Sequence, residues 1–87
     1  MITHVAIKFR DILYSLPKPN RHHHIISDIV EKTGVEYVSF EESIQGFLDD
    51  EDNFLNRKQA LRHALLNNQV LDKSKVFAGE LTSENLW

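Results

Sequence analysis

The chain has 87 residues, and a chain of this length buries one modest core, which excludes an enzyme built from two domains. Hydrophobic residues make up 41% and charged residues 26% of the sequence, which is an ordinary globular composition and excludes disorder and fibrous repeats. The formal charge of −3 argues against a general nucleic-acid binder. We therefore expect one domain over residues 1–87.

The composition also bears on the compartment. The sequence contains no cysteine, which excludes disulfide bonds and cysteine-ligated zinc. No stretch is long and apolar enough to cross a bilayer, and the first residues lack the apolar core of a signal peptide. A cytoplasmic protein without a membrane partner is the expectation.

The N-terminal part of the chain has the pattern of two short strands. Apolar residues at alternate positions predict a half-buried strand over Ile2–Phe9, and they are Val5, Ile7 and Phe9. A second strand is predicted over residues 12–16. The two residues between the strands, Arg10 and Asp11, suit a hairpin turn although neither is glycine. Pro17 ends the second strand because proline has no N–H group for the ladder.

A helix is predicted after the proline. Asn20 is a good N-cap, and one helical stripe of branched residues predicts a helix over residues 21–33. The stripe consists of Ile25, Ile26, Ile29 and Val30. Gly34 stands where a left-handed residue ends a helix. The β-branched and aromatic residues of 35–40 then predict a third strand, while residues 41–44 are ambiguous.

The second half of the chain predicts a hairpin, a helix and a tail. Two Phe-Leu pairs predict a hairpin over residues 45–55 with an acidic tip, formed by Asp49, Asp50, Glu51 and Asp52. Asn56 and Gln59 form a capping pair that opens a second helix, which runs to about Asn67. Its predicted inward stripe is Ala60, Leu61, Ala64 and Leu65. Residues 70–87 predict an extended tail with at most one short strand, held by apolar anchors, namely Val76, Phe77, Leu81, Leu86 and Trp87.

The order of these elements predicts the fold class. Two strands, a helix, a strand, a hairpin-like turn and a second helix predict an α+β fold in which two helices pack on one face of a small antiparallel sheet. The core of so short a chain is thin, and self-association would bury more apolar surface. We therefore expect a homo-oligomer.

Both predicted helices begin with cations, although the positive end of the helix dipole favours acids there. The first helix begins with Arg21, and the second begins with Arg57 and Lys58. This placement becomes favourable when an anion lies at the helix start, where N–H groups, dipole and guanidinium all bind it. The two cationic starts predict a phosphate site, and the alternative is that these side chains are simply solvated.

Three consecutive histidines, His22, His23 and His24, open the first helix. On a helix they point about 100° apart and cannot converge on one metal ion, so neither a metal site nor a cofactor is expected. Only His4 or His63 from elsewhere in the chain could complete a metal site. At an anion site these histidines can donate hydrogen bonds or act as general acid and base. The alternative is one partly buried and two solvated histidines.

Aromatic residues are mostly expected in the core. A nucleobase needs an aromatic face, however, and Phe47 or Phe54, near the second cationic helix start, could supply it. The acids at residues 49–52 lack the spacing of an EF-hand loop and are expected to form a solvated turn.

Four segments give the chain its resemblance to a known group: SLPKPNRHHHII (15–26), QGFLDD (45–50), FLNRKQALRHALLNNQV (54–70) and LTSENLW (81–87). Over nearly its whole length the chain resembles a family of short phage and prophage proteins. The resemblance implies a phage-encoded accessory protein in the host cytoplasm. Small phage proteins of this size resemble inhibitors of host defence, including sponges for cyclic ADP-ribose isomers and cyclic oligonucleotides. The chain departs from the pattern at Asn68, where glycine is frequent, and at Asn85, where an acid is frequent; either departure could alter the ligand.

The anion argument and the resemblance together predict that the chain binds a small phosphorylated nucleotide without turning it over, and so blunts a host signal. Arg21, Arg57 and Lys58 would contact phosphates, the three histidines would donate hydrogen bonds, and Gln69 would bind polar edges of the ligand. One alternative is a small histidine-dependent phosphodiesterase or nucleotide hydrolase in which Arg57 stabilises the transition state. Another is a protein-binding inhibitor of a host effector that uses the acids of residues 49–52 as a nucleic-acid mimic.

Overall fold

The computed structural model describes residues 1–87 and has an α+β fold, as the sequence predicts. Four strands form one antiparallel sheet in the order β2-β1-β3-β4. The elements are β1 (Ile2–Phe9), β2 (Ile12–Pro17), α1 (His22–Thr33), β3 (Ser43–Asp49), β4 (Phe54–Asn56) and α2 (Arg57–Leu66), followed by short 3₁₀ helices at Lys73–Lys75 and Ser83–Asn85. Neither α1 nor α2 has the length or the apolar character that a membrane-spanning helix requires.

The first hairpin is confirmed. β1 pairs with β2 in a register that places Phe9 opposite Ile12, so that only Arg10 and Asp11 form the turn. Both turn residues have left-handed backbone angles, with φ of 51° and 64°. Two consecutive left-handed residues form the turn that matches the twist of a two-residue hairpin, and here they do so without glycine.

Both helices pack on the same face of the sheet, which is also confirmed. The buried core joins three sets of residues: Val5, Ile7, Phe9 and Phe47 from the central strands, Ile25 and Ile29 from α1, and Ala60 and Ala64 from α2. The small side chains of Ala60 and Ala64 let α2 lie close to the sheet. The rest of the predicted α2 stripe is less buried, because Leu61 is half-buried and Leu65 is exposed.

The predicted third strand at residues 35–40 is wrong. This segment is a loop, and the strand that pairs with β1 is β3, which begins in the segment whose pattern was ambiguous. Val35 and Val38 pack against the core, and their spacing of three does not fit the two-residue period of a strand. Phe40 at the end of the loop is 95% exposed. Residue type favoured a strand here, but only two of the apolar side chains reach the core.

The acidic hairpin between β3 and β4 is confirmed, and its tip is more than a solvated turn. The Asp49 side chain is buried and accepts hydrogen bonds from the backbone N–H groups of Glu51 and Asn53, each at 2.9 Å. The carboxylate thus holds the turn together. Because the Asp49 carboxylate is buried in the hairpin, it does not contribute to an acidic surface that could mimic a nucleic acid.

The helix ends follow the sequence closely, with one shift. Gly34 ends α1 with a left-handed φ of 75°, and Asn56 caps α2, as predicted. The N-cap of α1 is Arg21 and not Asn20. Asn20 lies one residue too early, and its side-chain amide donates to the carbonyl oxygen of Pro17 at 2.9 Å. The second helix ends at Leu66, one residue before the predicted end.

The tail is fixed to the domain, but it contains no strand. A single bridge joins Phe77 to Glu80, and Phe77 itself is 85% exposed, so it is not an anchor. Leu81 and Leu86 are buried as predicted. Trp87 docks on its own domain, where its indole N–H donates to the carbonyl oxygen of Asn20 at 2.9 Å. We refer to residues 80–87 as the C-terminal segment.

Two departures from the resembled family have local structural explanations. Asn68 has a left-handed φ of 53°, a conformation that glycine adopts most readily and asparagine next. The Asn85 side-chain oxygen accepts hydrogen bonds from the N–H and hydroxyl of Thr82, a role that an acid also performs. Both residues serve the fold where they lie.

Candidate functional site

The starts of α1 and α2 open onto two adjoining clefts. The smaller cleft has a volume of about 160 Å³ and is lined only by polar residues: Arg21, His22, His23, Gln45, Arg57, Thr82, Ser83 and Glu84. The larger cleft has a volume of about 490 Å³ and is lined by Phe40, Ser43, Ile44, Gln45, Asn56, Arg57, Lys58 and Glu80. Arg57 and Gln45 line both clefts, so the two clefts are neighbours.

The start of α1 leaves backbone donors unpaired. Arg21, in an extended conformation, precedes the helix, and its own N–H donates to Nδ1 of His24 at 2.9 Å. No side chain accepts from the first turn, so the N–H groups of His22 and His23 have no partner in the protein. Both residues line the smaller cleft, which therefore has a helix start with open donors at its edge.

The start of α2 is closed by its cap. The Asn56 side-chain oxygen accepts the N–H groups of Lys58 at 3.1 Å and Gln59 at 2.8 Å. In return, the Gln59 side-chain oxygen accepts the N–H of Asn56 at 2.9 Å. The start of α2 therefore contributes mainly the side chains of Arg57 and Lys58 to the clefts. Its backbone donors contribute less.

Both arginines also hold the C-terminal segment. The Arg57 Nε–H donates to the carbonyl oxygen of Leu81 at 3.0 Å, and the Leu81 N–H donates to the Arg57 carbonyl at 3.1 Å. The Arg21 guanidinium donates to the backbone oxygen of Trp87 and, at 3.4 Å, to the hydroxyl of Ser83. Cations that look misplaced at the helix starts therefore have a structural role in addition to any ligand role.

Carboxylates oppose both arginines. Arg57 Nη1 lies 3.6 Å from the Glu80 carboxylate, and Arg21 Nη1 lies 4.0 Å from the Glu84 carboxylate. Lys58, by contrast, is exposed and forms no ion pair. The fixed charge of the two clefts is positive by one, because three cations face two acids.

His22 lies beneath the smaller cleft. Its Nε2 is 2.8 Å from the carbonyl oxygen of Gly46, and since a carbonyl only accepts, Nε2 carries the proton. Its ring meets the ring of Phe47 edge to face at 5.0 Å between centroids. Burial lowers the pKa of His22 below its ordinary value, and the nearby Arg57 charge lowers it further, while the Gly46 bond opposes the shift. His22 is therefore neutral near pH 7.

The structure brings together five of the nine residues that the sequence proposed for the site. Arg21, His22, His23 and Arg57 line the smaller cleft, and Arg57 and Lys58 line the larger one. The other four lie elsewhere. They are His24, an exposed residue whose ring caps the α1 start; Phe47, fully buried in the core; Phe54, on the opposite face of the sheet beside Lys8; and Gln69, whose amide pairs with both backbone groups of Ile2.

No group of three or more histidine, aspartate or glutamate side chains is placed to hold a metal ion.

Comparison with known proteins places the chain among phage proteins. The family model described as Phage T4 y16D protein matches residues 1–87. The chain belongs to this family. The phage part of the resemblance is thereby confirmed. No curated protein and no solved structure gives a match.

The sequence missed the aromatic residue of the site. Phe40 lines the larger cleft together with Ile44, and both side chains are mostly exposed. The prediction of a strand over residues 35–40 concealed Phe40, because an aromatic residue in a strand is expected to pack. Glu80 and Glu84 were also missed, and no local signal in the sequence links them to arginines more than twenty residues away.

Proposed function

We propose that this phage protein binds a small phosphorylated nucleotide across the two clefts and sequesters it, without turning it over, to blunt a host antiviral signal. The observation that carries the proposal is that both helix starts open onto adjoining clefts that share Arg57 and Gln45. If the two helix starts opened onto separate surfaces, Arg21 and Arg57 could not act on one ligand.

The smaller cleft suits a phosphate group. Its lining is entirely polar, and the unpaired N–H groups of His22 and His23 lie at the positive end of α1. The guanidinium groups of Arg21 and Arg57 flank the same space. Backbone donors, dipole and guanidinium together form the arrangement that proteins use for phosphate.

The larger cleft suits a nucleoside. Its volume of about 490 Å³ lies within the range of small-molecule sites, about 300 to 1,000 Å³. Phe40 provides an exposed aromatic ring for a base, and Ile44 adds apolar surface. Lys58, which has no ion-pair partner, lies at the same cleft and supplies a cation for a second phosphate.

Sequestration is the step from binding to biological effect. Membership of a phage family supports a role during infection, where a bound host nucleotide would be withdrawn from its receptor. The host cytoplasm is the compartment that this role requires. Self-association of the chain stays a prediction, and sedimentation velocity measures it.

Calorimetric titration tests the binding. The protein is titrated with cyclic mononucleotides, cyclic dinucleotides, cyclic ADP-ribose and their linear forms, and we expect saturable heat from at least one of them. Lys58→Ala and Phe40→Ala should weaken that binding at least tenfold. Arg62→Ala is the matched control, since Arg62 is an exposed cation on α2 outside both clefts. Absence of heat from every nucleotide, or an equal loss in Arg62→Ala, contradicts the proposal.

Hydrolysis is a second candidate, and one observation favours it. His22 is neutral near pH 7 and lines the cleft that contains both arginines, and a neutral imidazole can act as a general base. Heat denaturation of the complex followed by chromatography separates the two functions. We expect the ligand to return unchanged; conversion to products that His22→Gln abolishes would establish an enzyme.

A further inference from the structure

Glu80 and Glu84 lie in the walls of the clefts, each beside an arginine. Glu80 pairs with Arg57 at 3.6 Å in the larger cleft, and Glu84 pairs with Arg21 at 4.0 Å in the smaller one. A site for a highly charged anion gains nothing from carboxylates beside its cations. Their position therefore carries information about the ligand.

We infer that Glu80 and Glu84 are specificity-determining residues, which restrict the clefts to nucleotides whose phosphates are singly charged phosphodiesters and reject terminal phosphomonoesters. This inference rests on the proposed nucleotide binding and names the chemical class of its ligand.

The charges of the clefts support the restriction. The three fixed cations exceed the two carboxylates by one, and Lys58 alone has no acidic partner. A phosphodiester carries one negative charge, whereas a terminal phosphate carries about 1.5 to 2 near pH 7 because its second pKa is about 6. At either cleft, the second charge of a phosphomonoester would approach a carboxylate, Glu80 or Glu84, that already pairs with the nearby arginine. A phosphodiester brings only one charge to each cleft and therefore meets less repulsion from that carboxylate.

The two glutamates should contribute unequally. The Glu80 side chain is 38% exposed and the Glu84 side chain is 71% exposed. Solvent screens the charge of Glu84 more strongly, and its side chain can rotate into water when a ligand enters. Glu80 is therefore the stronger determinant, and it lies at the cleft that also contains Lys58 and Phe40.

The competing explanation is that both ion pairs only hold the C-terminal segment in place. In that case replacement of a glutamate would change stability and affect all ligands alike. A ratio of affinities for two forms of one nucleotide separates the two explanations, because a structural effect cancels in the ratio.

The test uses the cyclic mononucleotides and cyclic dinucleotides of the titration panel, each supplied as the cyclic phosphodiester and as the ring-opened form with a terminal phosphomonoester. Cyclic ADP-ribose is left out, because its ring-opened form keeps the pyrophosphate and has no terminal phosphomonoester. We expect the wild-type protein to bind the cyclic form more tightly. Glu80→Gln should tighten binding of the ring-opened form by about tenfold, the effect of removing one moderately screened like charge, and change the cyclic form much less. Glu84→Gln should act in the same direction but more weakly.

Glu31→Gln is the matched control, because Glu31 is an exposed acid on α1 outside both clefts and loses the same charge. Circular dichroism and thermal unfolding show whether each variant is folded. If Glu80→Gln is not folded, Glu84→Gln takes its place in the test. If the wild-type protein binds some nucleotide but prefers the ring-opened form, or if the ratio is unchanged in both variants, this inference alone is wrong. If it binds no nucleotide, the proposed function fails with it.

Discussion

The starts of α1 and α2 carry the same sequence feature, cations at the positive end of a helix, but their backbone donors differ. At α2, Asn56 accepts the N–H groups of Lys58 and Gln59. At α1, no side chain accepts the N–H groups of His22 and His23. Charge at a helix start is therefore a weak sign of an anion site. Unpaired N–H groups beside a cleft are the stronger sign, and at α1 they belong to His22 and His23.

The largest expected effect on stability comes from replacing Arg57 or Arg21, the arginines at the two helix starts. Arg57→Ala should lower the free energy of unfolding by about 2 kcal/mol, because the carbonyl of the buried Leu81 loses a charged donor. Arg21→Ala should lower it by about 1 kcal/mol, since Trp87 keeps its bond to Asn20. Urea denaturation measures both values.

Fluorescence distinguishes the two arginine variants, because Trp87 is the sole tryptophan. Arg21→Ala should shift the native emission to longer wavelength, as Arg21 bonds to the backbone of Trp87 itself. Arg57→Ala should leave the emission in place, since Arg57 holds the other end of the C-terminal segment. A shift of the emission in Arg57→Ala, with none in Arg21→Ala, would contradict the described contacts.

Removal of the cap should have the next largest effect. Asn56→Ala should lower the free energy of unfolding by about 1 kcal/mol, because two first-turn N–H groups lose their acceptor. Asn20→Ala is the matched substitution at α1 and should cost less than about half as much, because Asn20 caps no helix and only donates to Pro17. Equal losses would show that the α1 boundary is misplaced.

A smaller effect distinguishes the two starts by adding an acid to each. His23 and Lys58 are exposed and occupy the second position of their helices. His23→Glu should stabilise the protein by about 0.5 kcal/mol, since the carboxylate meets unpaired donors and the helix dipole. Lys58→Glu should stabilise the protein less, because the Asn56 side chain already accepts the N–H of residue 58. Both should weaken nucleotide binding; thermal unfolding and titration provide the two readouts.

The smallest expected effect is the pH dependence due to His22. Because burial lowers the pKa of His22 in the folded protein, the unfolded chain takes up this proton first as the pH falls below 6.5, the ordinary value. The free energy of unfolding should therefore fall with pH from about 6.5 until the folded-state pKa is passed. In His22→Gln, part of this slope should vanish between pH 7 and pH 5. An unchanged slope in this variant would contradict the assignment.

Much of the fold follows from local sequence, because the local pattern and the tertiary packing agree. The alternation of Val5, Ile7 and Phe9 gives β1, and the Asn56–Gln59 pair gives the start of α2. The strand predicted over residues 35–40 is absent, because the local pattern and the tertiary packing disagree there. Their β-branched and aromatic types favour a strand, but the place beside β1 is taken by β3, whose Phe47 fills the core.

The site follows from sequence only in part. The pattern of cations at helix starts identifies Arg21 and Arg57, since that signal lies within a few residues. Three features depend on contacts between distant parts of the chain: the position of the C-terminal segment in the walls of both clefts, the exposure of Phe40, and the pairing of Gln69 with Ile2. No local pattern encodes them.

One consequence concerns synthesis of the protein. Thr82, Ser83 and Glu84 form one wall of the smaller cleft, and they are translated after every other residue that lines it. A nascent chain extended only through α2 has both helix starts and lacks this wall. If the clefts bind the proposed nucleotide, capture would wait until these residues have been synthesised, and the amount of completed protein would limit the binding capacity.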